Sequence, residues 1–354
     1  MKIAAVTGTN GKSSTIHYAR QLLEHKGKEV WSITNTGILE PRGVEFPMFW
    51  CRERGSIKKI IDILSPSKDA LLLIEAYSIS LLANEWYGTR LDIAAFTSFG
   101  RDHLDVHSSM REYFDAKFSL FQNFLKPNGT MIIHERIPNI PRFRYLSKKN
   151  ENEVIIYNDK ISEMSLPAGI ISQNYNCAKH ISETLADFSF NPSEQITICP
   201  LPGRIEKIEN SVGMNIFIDY AHNPDGLGFT LSKLKKDCKG KIITVVGCGG
   251  NRDSGKRKMM GKVAKQFSDM VIITDDNPRN ENASLIRKAI MEGCPKALEI
   301  PSRKEAIKAA LFTAQKNDTV LVAGMGSDKW ATIDFDLIQT DKSVILDIIE
   351  NLKK

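Results

Sequence analysis

A run of nine residues near the start of the chain, Val6-Thr7-Gly8-Thr9-Asn10-Gly11-Lys12-Ser13-Ser14, constrains the fold more than any other feature. Residues 3–6 before it are apolar and read as a short buried strand, and residues 13–25 after it carry apolar side chains at helical spacing. A strand that enters a glycine-rich turn and leaves it as a helix gathers backbone N–H groups and the positive end of a helix dipole at one point. That is the arrangement that cradles phosphate. In such a loop Lys12 reaches the β- and γ-phosphates of a nucleotide and the Ser13 hydroxyl meets Mg²⁺. The usual pattern asks for glycine five residues before Gly11, where Val6 stands. The competing reading is a glycine-rich turn whose lysine is incidental.

The alternation continues along the chain. Residues 70–74, 93–96 and 130–133 read as strands, and residues 109–124 as a helix with Tyr113, Phe114, Lys117, Phe118 and Phe121 near one face. A second series follows Pro200-Leu201-Pro202-Gly203, with strands at 216–219, 242–246, 271–274 and 319–322. Helical stretches at 226–236, 257–267, 283–292 and 303–316 fall between them. Strands alternating with helices predict an α/β chain with mostly parallel sheets. A chain of 354 residues suits two cores, here residues 1–199 and 200–354.

Composition narrows the class. The net charge of +6 is mild, and Lys and Arg are spread along the chain, which suits an anionic small substrate better than nucleic acid. None of the six cysteines (Cys51, Cys177, Cys199, Cys238, Cys248, Cys294) forms a CxxC pair, which argues against a zinc ribbon or a thioredoxin-type site. Scattered cysteines with no leader-like start point to a reducing cytosol, and no apolar run reaches the length of a membrane span.

Further segments extend the nucleotide reading. They are Phe96-Thr97-Ser98-Phe99-Gly100-Arg101-Asp102-His103-Leu104-Asp105 leading into Tyr113-Phe114-Asp115-Ala116-Lys117, then Pro202-Gly203-Arg204-Ile205-Glu206 and Asp219-Tyr220-Ala221-His222-Asn223-Pro224-Asp225. Gly247-Cys248-Gly249-Gly250-Asn251-Arg252-Asp253 and Asp276-Asn277-Pro278-Arg279 complete the series. With the first loop, this ordered set resembles the Mur ligase superfamily, and within it the tripeptide synthetases, over nearly the whole chain. The resemblance implies a central ATP-binding domain and a C-terminal Rossmann-like domain. It also implies an ATP-dependent ligase that joins a carboxylate to an amino acid through an acyl phosphate, giving ADP and phosphate. The nucleotide set it implies is Gly8, Thr9, Asn10, Gly11, Lys12, Ser13 and Ser14, with Asn176 at the adenine, Asp219 at the ribose and Arg204 near the phosphates. Ser13, Glu75, His103 and a carbamylated Lys117 would hold Mg²⁺. Catalysis would rest on Lys12, Glu75, His103 and Lys117, and the amino acid would meet Arg252, Asp276, Asn277, Pro278, Arg279, Gly324 and Asp328.

Each of these residues also has a plain reading. Glu75 is an acid after a strand, Lys117 a lysine on an amphipathic helix, and Arg204 a charge beside a Pro-Gly hinge. His103 and His107, four residues apart, also carry a hint of zinc, with no third ligand in evidence.

The chain departs from the family on the acceptor side. Glu75-Ala76-Tyr77-Ser78-Ile79-Ser80 stands for Glu-Val-Ser-Ser-His, and no Thr-Thr-Pro occurs between Asn35 and Trp50, where residues 43–50 read Gly-Val-Glu-Phe-Pro-Met-Phe-Trp. Gly324-Met325-Gly326-Ser327-Asp328 stands for Gly-Lys-Gly-His-Glu, and only seven residues precede Gly8. The expectation is a carboxylate substrate other than the usual UDP-linked dipeptide. Two alternatives stay open: a cell-wall ligase working with a separate substrate-binding protein, and a non-catalytic nucleotide-binding regulator.

Overall fold

The computed structural model describes residues 1–46, 53–160, 171–191, 194, 196–331 and 338–352. Cys51 and residues 47–50 of the divergent stretch lie outside the described residues. The chain divides into two compact units, residues 1–100 with 106–200, and residues 101–105 with 201–354.

The first unit runs β1 (Lys2–Thr7), α1 (Lys12–His25), β2 (Val30–Ile33), β3 (Ile38–Leu39), β4 (Glu45–Phe46), α2 (Ser56–Leu64), β5 (Leu71–Glu75), α3 (Ser78–Leu82), β6 (Leu91–Phe96), α4 (Met110–Ser119), β7 (Leu125–His134), α5 (Ile140–Asn150), β8 (Glu153–Tyr157) and α6 (Ser172–Ala186). Its eight strands form one sheet in the order β4-β3-β2-β5-β1-β6-β7-β8, parallel except for the β2–β3–β4 edge. β1 and β5 are apolar almost throughout because a central parallel strand is covered on both faces. Their residues alternate between two cores. Ile3, Ala5, Leu72, Ile74 and Phe96 join Phe114, Phe118, Phe121 and Phe143, whereas Ala4, Val6, Leu73 and Ile93 meet Tyr18 and Leu22 of α1 and Tyr175 and Ile181 of α6.

The sequence motif around α4 is reinforced by its cap. Ser109 Oγ accepts the Glu112 N–H and Glu112 Oε2 accepts the Ser108 N–H, so the start of the helix is fixed from both sides. α4 ends at Ser119 in a π-helical turn, residues 120–124, which turns Leu120, Phe121 and Phe124 together into the core.

The second unit runs β9 (Glu206–Ile208), β10 (Asn215–Asp219), α7 (Pro224–Asp237), β11 (Ile242–Val246), α8 (Lys256–Phe267), β12 (Met270–Ile273), α9 (Ala283–Met291), β13 (Leu298–Glu299), α10 (Arg303–Thr313), β14 (Thr319–Ala323), β15 (Trp330–Ala331), β16 (Ile338–Gln339) and α11 (Asp341–Leu352). Its main sheet has the order β13-β12-β11-β14-β10-β9, with β9 alone antiparallel, and β15 pairs with β16. The motif loops 220–225, 247–253, 274–279 and 324–328 follow β10, β11, β12 and β14, at the carboxyl edge where open α/β sheets bind ligands. A buried two-point ion pair, Arg303 to Asp341 at 2.7 and 2.6 Å, ties α10 to α11. No helix among the described residues is long and apolar enough to cross a membrane.

Candidate functional site

In the first unit β1, β5 and β6 are neighbours in register, Val6 beside Glu75 and Thr7 beside Phe96. The loop after β1, the carboxylate at the end of β5 and the Thr97-Ser98 turn after β6 therefore meet at one edge. Gly8 and Gly11 have φ of +153° and +90°, and a Cβ would lie 2.0 Å from Thr97 Oγ1 at Gly8 and 2.4 Å from Asn174 Oδ1 at Gly11. Neither position admits a side chain. Thr97 Oγ1 donates to Asn10 O at 2.6 Å, and Ser98 Oγ accepts the Asn10 N–H at 2.8 Å, so the loop is held open by β6. Among the described residues no side-chain oxygen caps α1, which leaves its first N–H groups directed at the loop.

Lys12 Nζ donates to Gly8 O and Thr9 O at 3.1 and 3.0 Å and lies 3.7 Å from Glu75 Oε1. Ser13 Oγ donates to Glu75 Oε2 at 3.0 Å, and Glu75 is 2% exposed. A hydroxyl and a buried carboxylate side by side are the hard oxygen donors that Mg²⁺ takes beside a nucleotide, so these residues fit the ion. Lys117, 1% exposed, donates to the same Gly8 carbonyl at 2.8 Å, and its Nζ lies 4.5 Å from the centre of the Tyr113 ring.

Other expectations resolve less directly. Asn176 spends both amide hydrogens on Asn158 O and Lys160 O, at 2.8 Å each. The α6 residues that touch the phosphate-loop region are Asn174, against Gly11, and Gln173, whose amide donates to Thr97 O. No motif spacing in the sequence points to Asn174. His107 pairs with Ser78 Oγ at 2.9 Å, and no group of three or more His, Cys, Asp or Glu among the described residues is placed to hold a metal ion. His103 falls in residues 101–105, with the second unit.

In the second unit the Asp219 carboxylate accepts from Ile205 N, Ala221 N and Thr230 Oγ1 at 2.8–3.0 Å. Burial raises its carboxyl above the usual range, opposed by the Arg204 charge and these bonds. Asp219 thereby locks the Pro-Gly-Arg turn to the end of β10. The Arg204 guanidinium lies 4.1 Å over the Tyr220 ring. Burial and the Asp328 charge push the Tyr220 hydroxyl up to about 12, so it stays protonated and bonds the Asp328 carboxylate. Burial likewise raises the Asp328 carboxyl, against the Tyr220 bond and the Arg204 charge.

The loops bearing Arg252 and Arg279 are pressed together. A Cβ on Gly250 would stand 1.9 Å from Pro278 O, so only glycine lets the two backbones approach. Arg279, at φ +49°, donates from Nη1 to Gly250 O at 2.7 Å, and Arg252 is exposed with a 3.5 Å contact to Asn251 O. Asp276 accepts the Asn277 N–H at 2.5 Å, and Gly324 donates to Asp219 O at 3.0 Å.

Residues 6–213 match the Mur ligase middle domain, and residues 203–326 match the Mur ligase glutamate ligase domain. The UDP-N-acetylmuramoyl-L-alanyl-D-glutamate–2,6-diaminopimelate ligase of Rickettsia montanensis is 34% identical, over 99% of this chain and 79% of that protein. The ligase of the same name from Zymomonas mobilis subsp. mobilis is 33% identical, over 92% and 73%. A solved structure with that enzyme's title covers this whole chain and 79% of its own, with a TM-score of 0.60 at 25% identity. The bifunctional folylpolyglutamate synthase/dihydrofolate synthase of Yersinia pestis shares the fold, with a TM-score of 0.69 at 14% identity over this whole chain and 89% of its own. A phosphate loop backed by a buried acid, two glycine-tight loops at a second sheet edge and these two domain matches agree, and the chain belongs to the Mur ligase family of ATP-dependent, amide-bond-forming ligases.

Proposed function

We propose that the chain couples ATP cleavage to joining a carboxylate with the amino group of an amino acid. The carboxylate oxygen attacks the γ-phosphorus and ADP leaves; the amine then displaces phosphate from the acyl phosphate. The observation that carries this reading is the meeting of Lys12, Ser13, Glu75 and Lys117 around the Gly8–Gly11 loop. Lys12 answers the charge on the transferred phosphoryl group, where cationic contacts matter most. Ser13, Glu75, His103 and Lys117 are the proposed holders of Mg²⁺, which supplies charge neutralisation on the phosphate oxygens. A lysine carries no lone-pair anion of its own, so its part requires the carbamate. Two ammonium groups, of Lys12 and Lys117, directed at one carbonyl repel each other, and converting Lys117 to an anion relieves that. Asn176 and Asp219 are assigned to the nucleoside and Arg204 to the phosphates, with Asp219 first serving to fix the turn that carries Arg204. The test is ADP release by the purified chain across a panel of carboxylates and amino acids. ATP consumption that depends on both partners and yields an amide supports the reading, and a phosphorylated product without amide overturns it.

The amine is proposed to be an amino acid with a free carboxylate, of the diaminopimelate class, held by Arg279 and Arg252 with Asp276 and Asp328 near its ammonium groups. Arg279→Lys is expected to raise the apparent KM for the amino acid about 10- to 100-fold, with KM for ATP little changed. A charge-assisted bidentate contact contributes roughly 1.5–3 kcal/mol, and lysine keeps the charge but loses the planar fork. If Arg279 serves only to brace the Gly250 carbonyl, the variant loses stability and shifts both KM values alike.

A second reading is favoured by the 34% identity to the diaminopimelate ligases along 99% of the chain. In it the carboxylate is the UDP-linked alanyl-glutamate that those enzymes are named for. Calorimetry with that nucleotide separates the two: micromolar affinity supports this second reading, and no measurable heat leaves a smaller carboxylate.

A further inference from the structure

Asp102 is 3% exposed and accepts four hydrogen bonds within the second unit. Oδ1 takes the Lys256 ammonium at 3.1 Å and the His103 backbone N–H at 3.0 Å, and Oδ2 takes His222 Nε2 at 3.1 Å and the Asn223 amide at 3.3 Å. Lys256 opens α8 and is equally buried, at 4%. The preceding residue is anchored as well: the Arg101 guanidinium makes a two-point contact with Asp253 at 2.9 and 3.0 Å, and its N–H reaches Asp225 Oδ2 at 3.1 Å. Loops 220–225 and 247–257 thus hold the segment 101–105 from both sides.

His103 itself has φ +54°. That left-handed conformation carries a steric cost for a residue with a Cβ, and contacts that hold it offset the cost. One contact that holds it is the Asp102 carboxylate on the N–H of His103, and that carboxylate is in turn held by Lys256, His222 and Asn223.

We propose that Asp102 is a positioning residue of the ligase reaction: it fixes the backbone of His103 so that the imidazole is offered to the metal in one direction, and Lys256 serves to hold Asp102. This rests on the reading of His103 as a metal ligand. The bland alternative is a buried ion pair that only stabilises the fold. The two differ when both charges are removed together, because replacing a buried pair by neutral groups is close to neutral for stability, whereas removing one partner is costly.

The experiment measures Mn²⁺ binding to the full chain saturated with the non-hydrolysable analogue AMP-PNP, from the free-ion paramagnetic signal, in wild type, Asp102→Leu, Lys256→Met, the double variant and His103→Ala. The double variant is expected to melt near the wild type and to bind AMP-PNP normally. Its affinity for the His103-dependent Mn²⁺ is expected to fall about 10- to 100-fold, the usual cost of losing a ligand's support. kcat falls with it and KM for the amino acid stays. Lys256→Met alone, which keeps the bond from Asp102 to the His103 N–H, loses more stability and less metal affinity. A folded double variant with wild-type Mn²⁺ affinity overturns the proposal. If the double variant does not fold, Asp102→Glu carries the same comparison, and unchanged Mn²⁺ affinity there overturns it. Unchanged Mn²⁺ binding in His103→Ala removes instead the ligand reading on which the proposal stands.

Discussion

Lys12→Ala is expected to lower ADP formation by on the order of 10²–10³-fold or more, in a protein that still folds. The ammonium is bonded to the Gly8 and Thr9 carbonyls and lies 3.7 Å from Glu75, and the proposed role gives it the charge of the transferred phosphoryl group to answer. Its removal costs the bonds to Gly8 O and Thr9 O, about 1 kcal/mol each, well within the stability of an ordinary domain. Gly8 O keeps its bond from Lys117, and the loop keeps Thr97 and Ser98, so the cradle does not collapse. Thermal melting and ADP release on the same preparation check this. A folded variant turning over near the wild-type rate would remove the phosphate-loop assignment.

Lys117→Ala is expected to lose at least about 100-fold in turnover, and short carboxylates such as acetate or formate are expected to restore part of it. The side chain is almost fully buried, so its truncation leaves a cavity in which a small carboxylate can stand in for the carbamate. Wild-type activity is also expected to fall when dissolved CO₂ is stripped and to return with bicarbonate, because a carbamate forms and breaks with CO₂. Crystallographic density for an unmodified amine in the active, CO₂-equilibrated enzyme, together with no rescue by acetate, would refute the carbamate. Methionine at 117 fills the same space without the chemistry and separates loss of packing from loss of the ligand.

Much of this organisation is legible in the sequence. Residues 242–246, apolar but for Thr244, become β11 unchanged, because a strand buried on both faces needs a nearly apolar run. The phosphate loop is legible for a related reason: strand, glycines, lysine and helix are contiguous, so local chemistry alone defines it. Glu75 stands at the end of a strand, where an acid is ordinarily solvated, and only the resemblance to the family marks it as a candidate metal-site residue. The two-residue strands β3 and β4 leave no trace, being too short for an alternating pattern. α6 escapes notice because its sequence is largely polar, yet Asn174 on it closes the loop at Gly11. The stretch 109–124 reads as one helix, but the structure ends α4 at Ser119, since a π-helical turn carries Leu120, Phe121 and Phe124 into the core together. The Asp102–Lys256 pair lies across 154 residues, and no local pattern announces such a bond.

That separation bears on how the molecule is made and where it can be divided. On the ribosome Asp102 emerges long before Lys256, so the segment 101–105 waits, unpaired, until α8 has been synthesised. A polypeptide cut at residue 200 splits the pair: the front piece carries Asp102 without its cation, and the back piece carries Lys256 at a buried helix start with no carboxylate to meet it. Stranding one member of a buried ion pair costs about 3–5 kcal/mol, a large share of what a domain of this size has to spare. Residues 201–354 expressed alone are therefore expected to fold poorly, and supplying a peptide of residues 98–108 in trans is expected to raise their melting temperature.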